Sequence, residues 1–204
     1  ATGQFPNMVN ENSVPCWETS APDGIMEFWP SPNYENVPAY QGNQFIEMNG
    51  NSPDTIFQDF VITPGATLNI SFAHRGRQGN DTVGVEIGTT GGPYVNIGSF
   101  TDGNTAWGFH TINYLVPTTN GSNYTIRFVA VSSANGSATI GNYLDAISLS
   151  TVECSSLPTT GTVSLLPTVT LSLTSGSNEQ TVCVNTPINN IVYTTGNATD
   201  VTVT

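Results

Sequence analysis

The sequence predicts an all-β protein, and three observations carry that expectation. Charged residues make up only 9% of the 204 positions, against roughly 25% in an average soluble domain. From Gln44 to Ser150 the chain is a series of short alternating apolar and polar runs separated by turn clusters, and no run keeps a helical period. Hydrophobic residues still reach 37%, 9% of the chain being aromatic, which is enough apolar surface to offset the conformational entropy lost on folding.

Taken in order, the runs predict strands near 44–49, 55–62, 67–74, 82–88, 93–99, 107–116, 123–132 and 140–150. The turns between them have their own chemistry: Thr63-Pro64-Gly65, Gly79-Asn80-Asp81, Gly91-Gly92-Pro93, Asp102-Gly103-Asn104 and Asn120-Gly121-Ser122 supply fixed or positive φ. Strand period places Leu68, Ile70, Phe72 and His74 on one face, and Tyr124, Ile126, Phe128 and Ala130 on another. About eight such strands is the count of a jelly-roll β-sandwich.

After Thr151 the composition turns to Ser, Thr, Leu and Pro, with no aromatic residue through 155–178 and one weak strand signal at 163–173. A second unit begins at Glu179 and reaches Ile191-Val192-Tyr193. It is too short for an immunoglobulin-like sandwich of about 100 residues. The expected organisation is a jelly roll over 1–153, a linker over 154–178, and over 179–204 the first strands of an incomplete immunoglobulin-like domain. The chain is expected to be a piece of a longer protein.

Charge narrows the partners. There is no lysine, the cations are Arg75, Arg77 and Arg127, and the net charge is −12. Nucleic acid is excluded as a partner, because counterion release needs several clustered cations. The negative field would instead concentrate divalent cations such as calcium. No run of about 18 apolar residues is present, so no membrane insertion is expected. The chain opens without a basic and then apolar leader, as a processed, exported protein would.

Cys16, Cys154 and Cys183 have no metal-ligand spacing. Cys16 and Cys154 stand just before and just after the expected sandwich, and an exported chain meets an oxidising compartment. They are expected to form a disulfide, with Cys183 left over.

Several segments carry a resemblance: Val14-Pro15-Cys16-Trp17-Glu18-Thr19, Ile25-Met26-Glu27-Phe28-Trp29, Ala39 to Asn49, Phe57-Gln58-Asp59, Ser71 to Arg77 and Tyr143 to Leu149. In that order they resemble the galactose-binding-like, carbohydrate-binding-type jelly rolls of large surface proteins of Bacteroidota. The stretch Gln180 to Ile188 resembles the opening of immunoglobulin-like repeats in giant adhesins of those bacteria, including gliding-motility adhesins exported by the type IX system. The resemblance implies an extracellular, cell-surface adhesin domain on a long stalk, with a glycan or a surface as ligand and contacts to export machinery. It also implies a structural Ca2+ between the N-terminal segment and the last strand, recruiting Asp145 with Glu11 or Glu18.

The residues themselves offer two constellations. Sugar sites use aromatic faces and planar polar groups, which singles out Tyr40, His74, Arg75, Arg77 and Trp107, while Trp17 and Trp29 read as packing. Arg75 and Arg77 also need acidic partners, for which Glu47 and Asp81 are available. Asp145 alternates with Tyr143, Ile147 and Leu149, so a carboxylate falls where a buried side chain is expected. It must meet a cation or backbone N–H groups. Asp54-Thr55-Ile56 and Asp81-Thr82-Val83 fit a short O-glycosylation pattern at Thr55 and Thr82. No HExxH or GxSxG occurs, and the chain is read as a binding protein, not an enzyme. A ligand-free spacer and the accessory module of a secreted hydrolase stand as alternatives.

Overall fold

The computed structural model describes residues 4–152, 170–177, 179–181 and 187–196. The chain divides into two compact units, 1–155 and 156–204. Cys154 and Cys183 lie outside the described residues, as does most of the expected linker. The disulfide expectation therefore stands as it was, with Cys16 exposed in a left-handed turn at φ 67°.

The first unit is a sandwich of eleven strands: β1 (Asn7–Asn10), β2 (Glu18–Thr19), β3 (Ile25–Pro30), β4 (Gln44–Glu47), β5 (Thr55–Val61), β6 (Thr67–Arg75), β7 (Asp81–Thr89), β8 (Tyr94–Asp102), β9 (Gly108–Leu115), β10 (Asn123–Ser132) and β11 (Tyr143–Val152). A six-stranded sheet runs β1-β3-β4-β11-β6-β9, and a five-stranded sheet runs β2-β5-β10-β7-β8. Every ladder is antiparallel. From β4 onward only β7 and β8 are sequence neighbours within one sheet; the other connections pass between sheets, as a jelly roll requires. The β7–β8 hairpin turns on Gly91 and Gly92 at φ 90° and 82°, angles that suit glycine.

Strand period fills the interior. Leu68, Ile70 and Phe72 of β6 meet Val83, Val85 and Ile87 of β7 and Tyr124, Ile126 and Phe128 of β10 in one buried cluster, each strand giving its alternate residues to the space between the sheets. The eight strands expected from the sequence are β4 to β11, with ends shifted by a few residues. The three N-terminal strands were not expected; β3 adds Met26 to the core.

A second apolar cluster sits on the outward face of the six-stranded sheet. Trp29, Phe45 and Tyr143 are buried there with Val37, and Tyr34, Ala39 and Trp107 pack against them. Val37, Tyr34 and Ala39 belong to the β3–β4 connection, which thus covers this face. Asp145 secures the cover: its carboxylate accepts the backbone N–H groups of Tyr40 (2.8 Å) and Gln41 (3.0 Å) and of Ala146 (2.6 Å).

The expected phase of β11 is corrected here. The ladder with β6 slips between Asp145 and Ser148, where Ala146 takes φ 50°. This bulge inserts a residue and reverses the alternation. Leu144 faces the core, and Asp145 does not share the phase of Ile147 and Leu149. Its partners are the backbone amides that the sequence left as the alternative to calcium.

In the second unit, β12 (Thr170–Ser175) and β13 (Val192–Gly196) pair antiparallel. They overlap the expected strand signals at 163–173 and 191–193. No helix among the described residues is long and apolar enough to cross a membrane.

Candidate functional site

The outward face of the five-stranded sheet carries a polar and aromatic surface that, among the described residues, no connection covers with an apolar cluster. Register builds it. Glu18 opposes Phe57, Phe57 opposes Arg127, Arg127 opposes Glu86 and Glu86 opposes Asn96, so one row of side chains crosses all five strands. The next row is Asp59, Thr125, Gly88 and Tyr94. These residues alternate with Ile56, Tyr124, Ile126, Val85 and Ile87 of the core, which is why they all point outward.

Within the rows the groups are held by one another. Arg127 Nη1 donates to Glu86 Oε2 at 2.7 Å, both side chains being about a quarter exposed. The guanidinium lies 4.5 Å above the centre of the Tyr94 ring, a cation–π contact. Thr125 Oγ1 donates to Asp59 Oδ1. Gly88 gives the Tyr94 ring its seat: a Cβ there would fall 2.2 Å from the Pro93 carbonyl oxygen and 2.9 Å from the ring. The result is a fixed aromatic plane, a guanidinium, three carboxylates and an amide on one sheet face. Such a surface can stack on C–H faces and exchange hydrogen bonds with hydroxyls.

The residues singled out from the sequence fall elsewhere, and only some meet. Tyr40 and Trp107 do come together, with ring centres 6.4 Å apart. Phe109 stacks on Tyr40 at 5.5 Å and 9°, giving the six-stranded sheet a small exposed aromatic pair. Trp107 is half-buried and donates Nε1–H to the Pro38 carbonyl at 2.8 Å. Arg75 donates to the Asn104 carbonyl.

His74 and Arg77 are corrected as ligand contacts. His74 is fully buried, because it shares the core phase of Leu68, Ile70 and Phe72. Arg77 is enclosed by Glu35 at 2.7 Å and Glu47 at 3.1 Å, with Trp29 beneath its guanidinium at 4.6 Å. Burial pushes the Glu47 carboxyl upward, while Arg77, Trp29 Nε1–H and the Gly141 N–H all donate to it. Every hydrogen-bond partner of Glu47 is thus a donor, and these donors oppose the burial that pushes its carboxyl up to about 8.

The calcium that the resemblance implies would need Asp145 with Glu11 or Glu18 and backbone carbonyls; here the Asp145 carboxylate accepts the Tyr40, Gln41 and Ala146 amides. Glu11 accepts the Thr19 N–H at 2.8 Å, and Glu18 stands on the five-stranded sheet. Thr55 is buried, so the folded domain does not present its hydroxyl for glycosylation. Thr82 is partly exposed and shares a hydrogen bond with Thr101. An apolar recess of about 320 Å³ opens between the sheets beside Trp17 and Phe28, with Gln44 and Asp145 among its polar lining.

Sequence reasoning missed Tyr94, Arg127, Glu86, Phe57 and Asp59. A signal was present: in β10, Asn123, Thr125 and Arg127 occupy the phase opposite Tyr124, Ile126 and Phe128. An arginine in the middle of an otherwise uncharged strand marks its solvent face.

No protein-family profile matches the chain, and no curated protein does. Solved structures do match. The CBM22-1–GH10 modules of Clostridium thermocellum endo-1,4-β-D-xylanase 10B, complexed with xylohexaose, align at a TM-score of 0.50 and 13% identity, over 75% of this chain and 29% of that one. The CBM22-1–CBM22-2 tandem domain of Paenibacillus barcinonensis Xyn10C aligns at 0.50 and 14% identity, over 74% of this chain and 50% of that one. At these identities the likeness is one of fold, and it agrees with the strand order: the first unit is a jelly-roll β-sandwich of the kind found in carbohydrate-binding modules.

Proposed function

We propose that the first unit is a non-catalytic glycan-binding module whose binding surface is the outward face of the five-stranded sheet. The observation that carries this reading is the Glu18–Phe57–Arg127–Glu86–Asn96 row with Tyr94 beside it. It sets aromatic and planar polar groups on rigid strands, as sugar recognition asks. The fold neighbour in complex with xylohexaose supports a glycan as the ligand class and supplies a first probe.

The setting we propose is a cell-surface adhesin of the exported, stalked type. The lysine-free, acidic composition and the resemblance of residues 180–188 to adhesin repeats support it. An accessory module of a secreted hydrolase is the second reading, favoured by the neighbour that joins its CBM22 module to a GH10 module. Antibody labelling of intact cells separates them: surface staining is expected, and signal confined to the culture medium favours the accessory module.

The binding test uses the 204-residue chain on a glycan array that includes xylohexaose, followed by calorimetry on any hit. Tyr94→Ala and Arg127→Ala should each weaken binding at least ten-fold. Tyr40→Ala and Phe109→Ala should leave it unchanged. The reverse pattern moves the site to the exposed aromatic pair of the six-stranded sheet, and an array without hits rejects the glycan reading.

A further inference from the structure

At the corner where β8 leaves the five-stranded sheet and β9 enters the six-stranded one, three side chains converge that the binding surface does not use. His74 Nδ1 lies 2.8 Å from Asp102 Oδ2, and His110 Nε2 lies 2.7 Å from the same oxygen. Register explains the meeting: on β6 and β9, His74 opposes Gly108 and Phe72 opposes His110, so the two histidines are diagonal neighbours on the core side. Asp102 ends β8 and reaches them from the other sheet.

The hydrogen-bond inventory at His74 leaves one nitrogen to account for. The other ring nitrogen, Nε2, lies 3.1 Å from Asn142 Oδ1. The Asn142 amide cannot be turned over, because its Nδ2 donates to Asn49 Oδ1 at 2.9 Å and to the Ser132 carbonyl at 3.0 Å. His74 Nε2 must therefore carry the proton. In a neutral imidazole, Nδ1 is then a bare lone pair, and here it points at a carboxylate oxygen. Two lone pairs cannot face each other across 2.8 Å, so the contact holds either a second ring proton or a metal cation.

Two further features fit a metal ion. Gly108 keeps the space open: a Cβ there would lie 2.1 Å from Asp102 Oδ1 and 2.9 Å from His110 Nε2. Burial is graded, His74 being sealed at 0% exposure while His110 and Asp102 keep 20% and 16%, so the cluster has a solvent side for entry and for a water ligand. We propose that His74 Nδ1, His110 Nε2 and one oxygen of Asp102 form a binding site for a zinc-class divalent ion, with water as the fourth ligand.

Two imidazoles and a carboxylate with an open fourth position suit zinc. The Nε2–H of His74 on Asn142 is the outer hydrogen bond that fixes the tautomer of a metal-binding histidine. Zinc bonds of about 2.0–2.1 Å require the nitrogen–oxygen separations to open by roughly half an ångström, a side-chain torsional adjustment. Because the ligands come from both sheets, the ion would staple the sandwich at its β8–β9 corner. The Phe72 and Phe100 rings beside His110, at 5.4 and 4.4 Å, would exclude water from the rest of the shell.

The test uses the 204-residue chain, stripped with dipicolinate and titrated with zinc chloride. One equivalent should bind, and the melting temperature should climb with the logarithm of free zinc. Cobalt(II) should give the intense visible bands of a tetrahedral site. His110→Gln and Asp102→Asn should each weaken zinc at least ten-fold. Equal affinity in these variants would assign the zinc to surface carboxylates and overturn the proposal. A wild-type melt indifferent to zinc would overturn it as well. If neither variant folds, 15N spectra of the wild type decide: His74 Nδ1 should move to a metal-bound position on zinc addition, whereas protonation at both ring nitrogens would make the cluster a buried imidazolium–carboxylate pair. None of these readings depends on glycan binding.

Discussion

The two outward faces of the sandwich are built from the same strand alternation and have opposite fates. On the six-stranded sheet, Trp29, Phe45, Glu47 and Tyr143 are covered by the β3–β4 connection, and Arg77 is spent between Glu35 and Glu47. On the five-stranded sheet, Arg127 and Glu86 form the same kind of ion pair with the side chains still partly in water. The difference teaches that an arginine's role here is set by what folds over it. A covered guanidinium holds the domain together, whereas an uncovered one beside an aromatic ring is available to a ligand.

Removing the two arginines in turn is the sharpest way to break this contrast. Arg77→Ala leaves the fully buried Glu47 side chain without its counter-charge and should cost about 3–5 kcal/mol, read from the midpoint of urea unfolding. Arg127→Ala removes a quarter-exposed pair and should cost no more than about 1 kcal/mol, while abolishing most of the glycan affinity. Similar stability losses in both variants would refute the division between a structural face and a binding face.

Asp145 tests what keeps the cover in place. Asp145→Ala removes the acceptor of three backbone N–H groups, two of them on the β3–β4 connection. The expected cost is about 1–3 kcal/mol, and hydrogen exchange at the Tyr40 and Gln41 amides should accelerate more than exchange in β10. Uniform acceleration would mean that the connection is held by its apolar contacts alone.

How much of this was legible depends on the range of the interaction that decides it. Strands β4 to β11 follow from alternation and turn residues, both local. β1 and β2 are too short, at four and two residues, for a period to emerge, and β3 ends on a proline. The phase of Asp145 was misread because one residue, Ala146 at φ 50°, inserts a bulge that no glycine announces. Tyr40 and Trp107 do lie near each other, yet the grouping by aromatic character overlooked the outward row. Membership of that row is a matter of register across five strands, and only the polar phase of β10, ending in Arg127, hinted at it. His74 was assigned to a ligand surface although its own alternation with Leu68, Ile70 and Phe72 placed it inside.

The smallest expected effect lies on the covered face and concerns Glu27. It opposes Glu47 across β3 and β4 and is buried. Burial is the main cause that raises its carboxyl above the usual range, with Arg77 pulling it back and Glu35 adding to the rise. The sign follows from linkage: between the unfolded and the raised folded value, the native chain holds a proton that the unfolded chain has released. This contribution is fully present below the ordinary carboxylate range and is lost as pH rises through the raised value. Glu27→Gln removes the titration while keeping the shape and the neutral form. Its stability relative to the wild type should therefore be close to zero under acidic conditions and should grow in its favour, by at most about 1 kcal/mol, as the pH approaches neutrality. Thermal unfolding of both proteins between pH 4 and 7 checks this. A variant that loses ground as pH rises would mean that ionised Glu27 is a needed third partner of Arg77, and that the covered face carries one more obligatory charge than the contrast with the open face allows.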